Sequence, residues 1–263
     1  MTKADSASRT VNRICDILNS FSGQEAMLTL TEISRRIDLP KSTTYRFLLD
    51  LESQGMLYSD PGSHGYRLGH QLIHCGMLAQ ASIDLRNDSL PILRTLTEST
   101  GESSILSMRF GNVGTWIEIV ESPYALRLAM RVGQSIPLYA GASSKVLLAF
   151  LPDYEIERIL DEIELKPIKR NTITSPDQLR QELHAIRARG YATSFEETDN
   201  GAMGIAAPVF DHTGQTVAGI GLIAPIARVP EVRIPEVAEP VLQASFELSR
   251  RLGAPARQLN VSI

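Results

Sequence analysis

The sequence predicts an α+β protein in two parts, and three observations carry that prediction. Residues 1–69 read as short amphipathic helices followed by a hairpin. From Ser103 onward apolar residues alternate over several runs, which is the strand period rather than the helical one. Two of those runs, GIAAPVFD and QTVAGIGLIAP, are joined by His212-Thr213-Gly214, so the sheet is expected to be mainly antiparallel.

The chain has 263 residues, 43% hydrophobic and 21% charged, the composition of a globular protein. That length allows one large domain or two ordinary ones. No apolar run is long enough to predict a membrane span, and MTKADSASRTVNR lacks the apolar core of a signal peptide. Cys15 and Cys75 fit reduced thiols in a cytoplasmic protein better than a disulfide framework. Residues 1–70 hold 8 Lys/Arg against 8 Asp/Glu, and the remainder carries the whole net charge of −4. A nucleic-acid surface would therefore have to be a local basic face, not a basic domain.

The first helix is expected over residues 9–22, where Val11, Ile14, Ile17, Leu18 and Phe21 keep helical spacing before Ser22-Gly23. Thr29 followed by Glu32 is a capping-box pattern that opens a second helix, closed before Pro40. A third runs from about Lys41 to Gln54, with Leu48, Leu49 and Leu51 as its inward stripe and Gly55 as its stop. MLYSD and YRLGH flank a Pro/Gly/Ser turn and read as a hairpin. Helix, helix, sharp turn, helix and hairpin in this order form a winged helix-turn-helix.

A linker helix is expected from about Leu68 to Ile83, and another helix from Asn87 to Thr100 with Pro91 in its first turn. SSILSMRF, GTWIEIVES and LRLAMRV are strand-like, with Gly111-Asn112 as the turn between the first two. GASSKVLLAFLP, DYEIERILDE and SPDQLRQELHAIRARG read as helices, and YATSF as a strand. The chain closes with a helix from about Ile234 to Leu252. The expected domains are 1–69, a linker at 70–83, and 84–263.

The third helix places Lys41, Ser42, Thr43, Thr44 and Arg46 at its start and leucines at its far end. A DNA-reading helix needs this polarity. Its free N-terminal amides and positive dipole end meet phosphate, short polar side chains reach base edges, and the rest packs on its own domain. Thr44 and Arg46 are the candidates for base edges, Lys41 for the backbone, and Ser42 and Thr43 for phosphate or thymine methyls. Arg35 and Arg36 would face a flanking strand, and His64 and Arg67 on the hairpin would reach a minor groove or backbone.

The sequence resembles the IclR family of bacterial transcriptional regulators. The resemblance lies in LTLTEISRRIDLPKSTTYRFLLDLESQGML and YRLG, then in GASSKVLLAFLP, RARGYATSFEE and GIAAPVFDHTGQTVAGIGL. It implies a winged helix-turn-helix joined by a helix to a GAF/PAS-like effector-binding domain, and dimers or pairs of dimers on palindromic operators. It also implies a small-acid site at the amides of Gly141, Ala142 and Ser143. Where family members that take keto acids tend to have Asp, Cys and two Ser, this chain aligns Ser194, Gly204, Gly221 and Ile223. The implied site is roomier and less polar. It suits an aromatic acid, or one larger than a keto acid, with Trp116, Leu128, Met130 and Met203 as candidate walls.

Other constellations carry less. His70 and His74 are four apart beside Cys75, with His64 nearby, but no third ligand has a diagnostic metal spacing. GASSK lacks the second glycine of a phosphate loop and the SxxK of a serine acylase. Lys145 is expected to make a structural hydrogen bond or ion pair. Glu196 and Glu197, if on a strand, would face opposite sides and make a poor acid–base pair. Arg127 and Arg131 are expected to be solvated. The sequence thus predicts a ligand-responsive DNA-binding regulator without cofactor or metal. The rival readings are an enzyme, or a small-molecule sensor acting without specific DNA binding.

Overall fold

The computed structural model describes residues 3–22, 25–60, 62–81 and 84–259, with side chains at 3–8, 79–81, 257 and 259 left aside. The chain divides into two compact units, 1–83 and 84–263.

In the first unit, α1 (Lys3–Asn19) precedes the two-residue strand β1 (Leu28–Thr29), α2 (Leu30–Arg36) and α3 (Lys41–Ser53). β2 (Leu57–Asp60), β3 (Gly65–Leu68) and α4 (His70–Ala81) follow. The first helix begins before the expected residue 9, and β1 is an addition to the expected hairpin. It pairs with β3 to give a three-stranded sheet in the order β1-β3-β2.

The expected capping box is formed. Glu32 N donates to Thr29 Oγ1 at 3.3 Å, and Thr29 N donates to Glu32 Oε2 at 2.8 Å. The turn from α2 to α3 is held by Ser34 Oγ donating to the Leu39 carbonyl, with Asp38 at φ 51. Ile17, Leu28, Ile33, Leu48, Leu51 and Leu57 form the core, each fully or nearly fully buried. Each contributes about 1.5–3 kcal/mol by leaving water. Leu49 was expected in that stripe but is 43% exposed, and Phe47 packs against the core instead.

The second unit is built on a six-stranded antiparallel sheet in the order β6-β5-β4-β9-β8-β7. The strands are β4 (Ser103–Phe110), β5 (Val113–Val120), β6 (Ser135–Pro137), β7 (Ala192–Phe195), β8 (Ala202–Phe210) and β9 (Thr216–Pro225). α5 (Leu85–Thr100) and α9 (Ile234–Arg251) share one core with the sheet. α6 (Ala142–Ala149), α7 (Asp153–Glu162) and α8 (Pro176–Arg189) share a second core with it. β8 is buried along its whole length, so its residues read as one apolar run with little alternation.

α6 lies close to the sheet because the strands beneath it carry glycine. A Cβ on Gly219 would come within 2.8 Å of Val146 Cγ1, and one on Gly114 within 2.6 Å of Ser144 Oγ.

Two expectations fail here for clear reasons. Pro91 lies well inside α5, because Asp84 caps that helix through the Asn87 amide and starts it earlier. LRLAMRV is not a strand. The Leu126 carbonyl is taken by Arg228 Nη1 at 2.6 Å rather than by a neighbouring strand, and β6 forms later, at Ser135. Among the described residues, no helix is long and apolar enough to cross a membrane.

Candidate functional site: an exposed helix start and a cavity

In the first unit α3 has Pro40 as its N-cap residue, which offers no side chain to cap the helix. The first-turn amides of α3 therefore face outward with the positive end of its dipole. Lys41, Ser42, Thr43 and Arg46 are exposed, as is Arg35 on α2. Arg46, Ser42 and Thr43 share a shallow surface depression with Phe47 and Asp50.

Two expected contacts, Thr44 and Arg36, are placed differently. Thr44 is fully buried, and its Oγ1 donates to the Pro40 carbonyl at 3.2 Å, so it cannot reach a base edge. Thr44, Leu48 and Leu51 stand at i, i+4 and i+7, which puts Thr44 on the inward face. Arg36 is turned onto its own domain, with Nη2 2.7 Å from Glu25 Oε2 and Nη1 donating to the Ser20 carbonyl at 2.7 Å. Its charge is already neutralised. His64 and Arg67 lie on the β2–β3 hairpin, His64 in the turn at φ 51 and Arg67 3.9 Å from Asp60.

In the second unit a cavity of about 350 Å³ opens beside the N-terminus of α6. Gly141 is the N-cap, with φ 76 and ψ 148. Its N–H donates to Glu197 Oε2 at 2.8 Å. The other oxygen of that carboxylate lies 2.6 Å from Lys145 Nζ, which also lies 3.3 Å from Glu182 Oε1. Lys145 is 1% exposed and Glu197 7%. Burial pushes the Glu197 carboxyl above the ordinary carboxylate range, against the opposing effect of Lys145 and the Gly141 N–H. Glu196 and Glu197 lie after β7 rather than on it. Glu196 Oε1 accepts the Gly201 N–H at 2.7 Å.

The Gly141 amide is therefore spent, and Ala142 and Ser143 are the next donors at the helix start. Trp116 Nε1 donates to Ser143 Oγ at 3.2 Å, which fixes the indole in the wall. Ser107 Oγ lies 3.2 Å from the Ser143 carbonyl, tying the first turn of α6 to the sheet. Leu128 and Met130 approach the cavity from the irregular segment that follows β5. Arg228 anchors that segment. It grips Glu102 with Nε and Nη2, each at 2.6 Å, reaches the Leu126 carbonyl, and lies 5.0 Å from the Tyr124 ring centre.

Of the expected pocket residues, Trp116, Leu128, Met130, Gly141, Ala142, Ser143, Ser194, Met203, Gly204 and Ile223 line this one cavity. Gly221 does not. It pairs with Ala206 and Ile105 in mid-sheet, where a Cβ would come within 2.0 Å of the Ile205 carbonyl oxygen. Its smallness serves strand packing. Lys169, Thr198, Asp199 and Asn200 also line the cavity, as do Ile105, Ile136 and Leu222. The first four stand on loops without a periodic signal, so pattern reading had no means of finding them. Arg127 pairs with Glu121 at 2.9 Å, and Arg131 is exposed.

The chain matches two family models. The IclR helix-turn-helix domain covers residues 10–61, and the bacterial transcriptional regulator IclR C-terminal domain covers 77–250. It is 36% identical over 245 residues to the HTH-type transcriptional regulator KipR of Bacillus subtilis, covering 93% of this chain and 97% of that one. It is 32% identical over 248 residues to XynR of Escherichia coli, covering 94% and 98%. A solved Thermotoga maritima IclR structure superposes with a TM-score of 0.63 at 31% identity, over 94% of this chain and 99% of that one. An IclR homologue from Microbacterium hydrocarbonoxydans, complexed with 4-hydroxybenzoate, shares the fold with a TM-score of 0.58 at 24% identity, over 92% and 98%.

Proposed function

Because the chain belongs to the IclR family of bacterial transcriptional regulators, a DNA-binding regulator rather than an enzyme, we propose that an organic acid bound in the cavity of its second unit sets its affinity for an operator. The observation that carries this reading is the cavity itself. It sets two amides at a helix N-terminus beside a largely apolar wall of Trp116, Leu128, Met130 and Ile223. A carboxylate suits the amides and the dipole, and an aromatic or long aliphatic body suits the wall. Gly204 and Ser194 leave room for such a body. The same fold holds an aromatic acid in the Microbacterium protein.

On the DNA side, Lys41, Ser42, Thr43 and the α3 amides position on phosphate, and Arg46 reads a base edge. Arg35 supports the flanking strand, and His64 and Arg67 the wing. Thr44 and Arg36 belong to the domain's own structure. Self-association into dimers on a palindromic site fits the apolar residues Ile73, Met77 and Leu78, which are at least 59% exposed on α4. Ligand acts by binding one arrangement of the protein better than another.

The test is calorimetric titration of benzoate, 4-hydroxybenzoate and octanoate into the wild type and Gly204→Phe. Binding to the wild type that the variant loses supports the reading. No binding of any acid to the wild type overturns the choice of ligand class.

A further inference from the structure

We infer that Lys169 recognises a second anionic group, so that the preferred ligand is an acid carrying negative charge at two places. The inference rests on the reading above, that the cavity takes an organic acid. Lys169 lines that cavity and is half-buried. Lys145 and Lys166 have carboxylate partners, whereas Lys169 has none within 4 Å among the described residues. Asp199, at the same cavity, is exposed and makes no ion pair with Lys169.

The loop bearing Lys169 is fixed in place. Buried Thr172 accepts the N–H groups of Ile168 and Lys169 on its Oγ1, at 3.1 and 2.9 Å, and donates to the Glu197 carbonyl at 2.7 Å. Asn171 Nδ2 donates to the Phe195 carbonyl at 3.0 Å. The ammonium is therefore carried on a pinned support against the segment that bears Ser194 and Glu197.

One carboxylate already finds its donors in the Ala142 and Ser143 amides and the Ser194 hydroxyl. A ligand that fills the cavity with apolar surface alone would strip water from the Lys169 ammonium and give it no anion, which is costly. A ligand with a second carboxylate, sulfonate or phosphate turns that cost into a charge-assisted hydrogen bond.

The experiment is isothermal titration of matched pairs, adipate against hexanoate, suberate against octanoate and terephthalate against benzoate. The proteins are the wild type, Lys169→Gln and Lys169→Arg. The expected result is a preference of about tenfold or more for at least one dianion over its matched monoanion in the wild type. Lys169→Arg should keep that preference and Lys169→Gln should lose it, through weaker binding of the dianion and equal or tighter binding of the monoanion, which no longer has to desolvate an unpaired ammonium.

Monoanions that bind the wild type as well as their dianion partners overturn the inference and leave the acid reading standing. Equal loss of both classes in Lys169→Gln means that Lys169 holds the first carboxylate, which also overturns it. Failure of every acid to bind the wild type overturns the acid reading itself. Unchanged thermal melts of both variants establish that the fold is intact.

Discussion

Lys145 Nζ lies 2.6 Å from Glu197 Oε1, and the second oxygen of the same carboxylate takes the Gly141 N–H at 2.8 Å. One buried pair thereby ties the middle of α6 to its own N-cap and to the segment after β7. Breaking such a pair leaves a charge without a partner in the interior, which costs about 3–5 kcal/mol. Lys145→Met is expected to lose stability of that order in urea unfolding. A loss within experimental error of zero would contradict the structural role.

The same pair has a pH signature. Burial holds the Glu197 pKa above its ordinary value of 4.5. Between that value and the raised one the folded state binds the proton more tightly than the unfolded chain does. The contribution of Glu197 to stability is therefore full below the ordinary value and lost as pH rises through the raised one. Urea unfolding across a pH series should show this downward component in the wild type and lack it in Glu197→Gln. Identical pH slopes in the two proteins would refute it.

On α3, Arg46 and Thr44 should separate cleanly. Arg46 is exposed, and Arg46→Ala should cost about 1–3 kcal/mol of discrimination between operator and other DNA, with folding unchanged. Thr44 is fully buried, and Thr44→Ala should cost about 1 kcal/mol of stability with sequence preference intact. Footprinting beside thermal melts reads both, and an unaltered footprint for Arg46→Ala rules out its role as a reader.

Two glycines of β8 and β9 should behave in opposite ways. A Cβ on Gly204 meets Ser194 Oγ at 2.9 Å and Ala142 Cβ at 3.4 Å, at the cavity. Gly204→Phe should fill it, abolishing acid binding while DNA binding persists. A Cβ on Gly221 meets backbone at 2.0 Å, so Gly221→Ala should lower the melting temperature sharply. A normal melt for Gly221→Ala would show that the strands can part there.

Much of this architecture was legible because its signals are local. Thr29 with Glu32, Pro40, Gly55, and the Ser175-Pro176 opening of α8 with its Gly190 stop each mark an element end through chemistry within a few residues. Thr44 invites a DNA role as a polar residue near a helix start, although its i, i+4, i+7 relation to Leu48 and Leu51 gives its inward direction. Leu126, Leu128 and Met130 alternate like a strand. Their backbone is instead governed by Arg228, a hundred residues away in the chain, and no local pattern reports such a bond. The cavity floor at Gly141, Ala142 and Ser143 came from family resemblance. Lys169 and Asp199 reach the same cavity only once the chain is folded.

The most direct test of the account is fluorescence anisotropy on operator DNA recovered by selection from a random pool, against scrambled DNA, at two salt concentrations, with and without an acid shown to bind. Preference for the operator, affinity that falls steeply with salt, and a shift of operator affinity when the acid is present are the expected results. Equal affinity for both DNAs, or operator affinity unmoved at saturating acid, would contradict it.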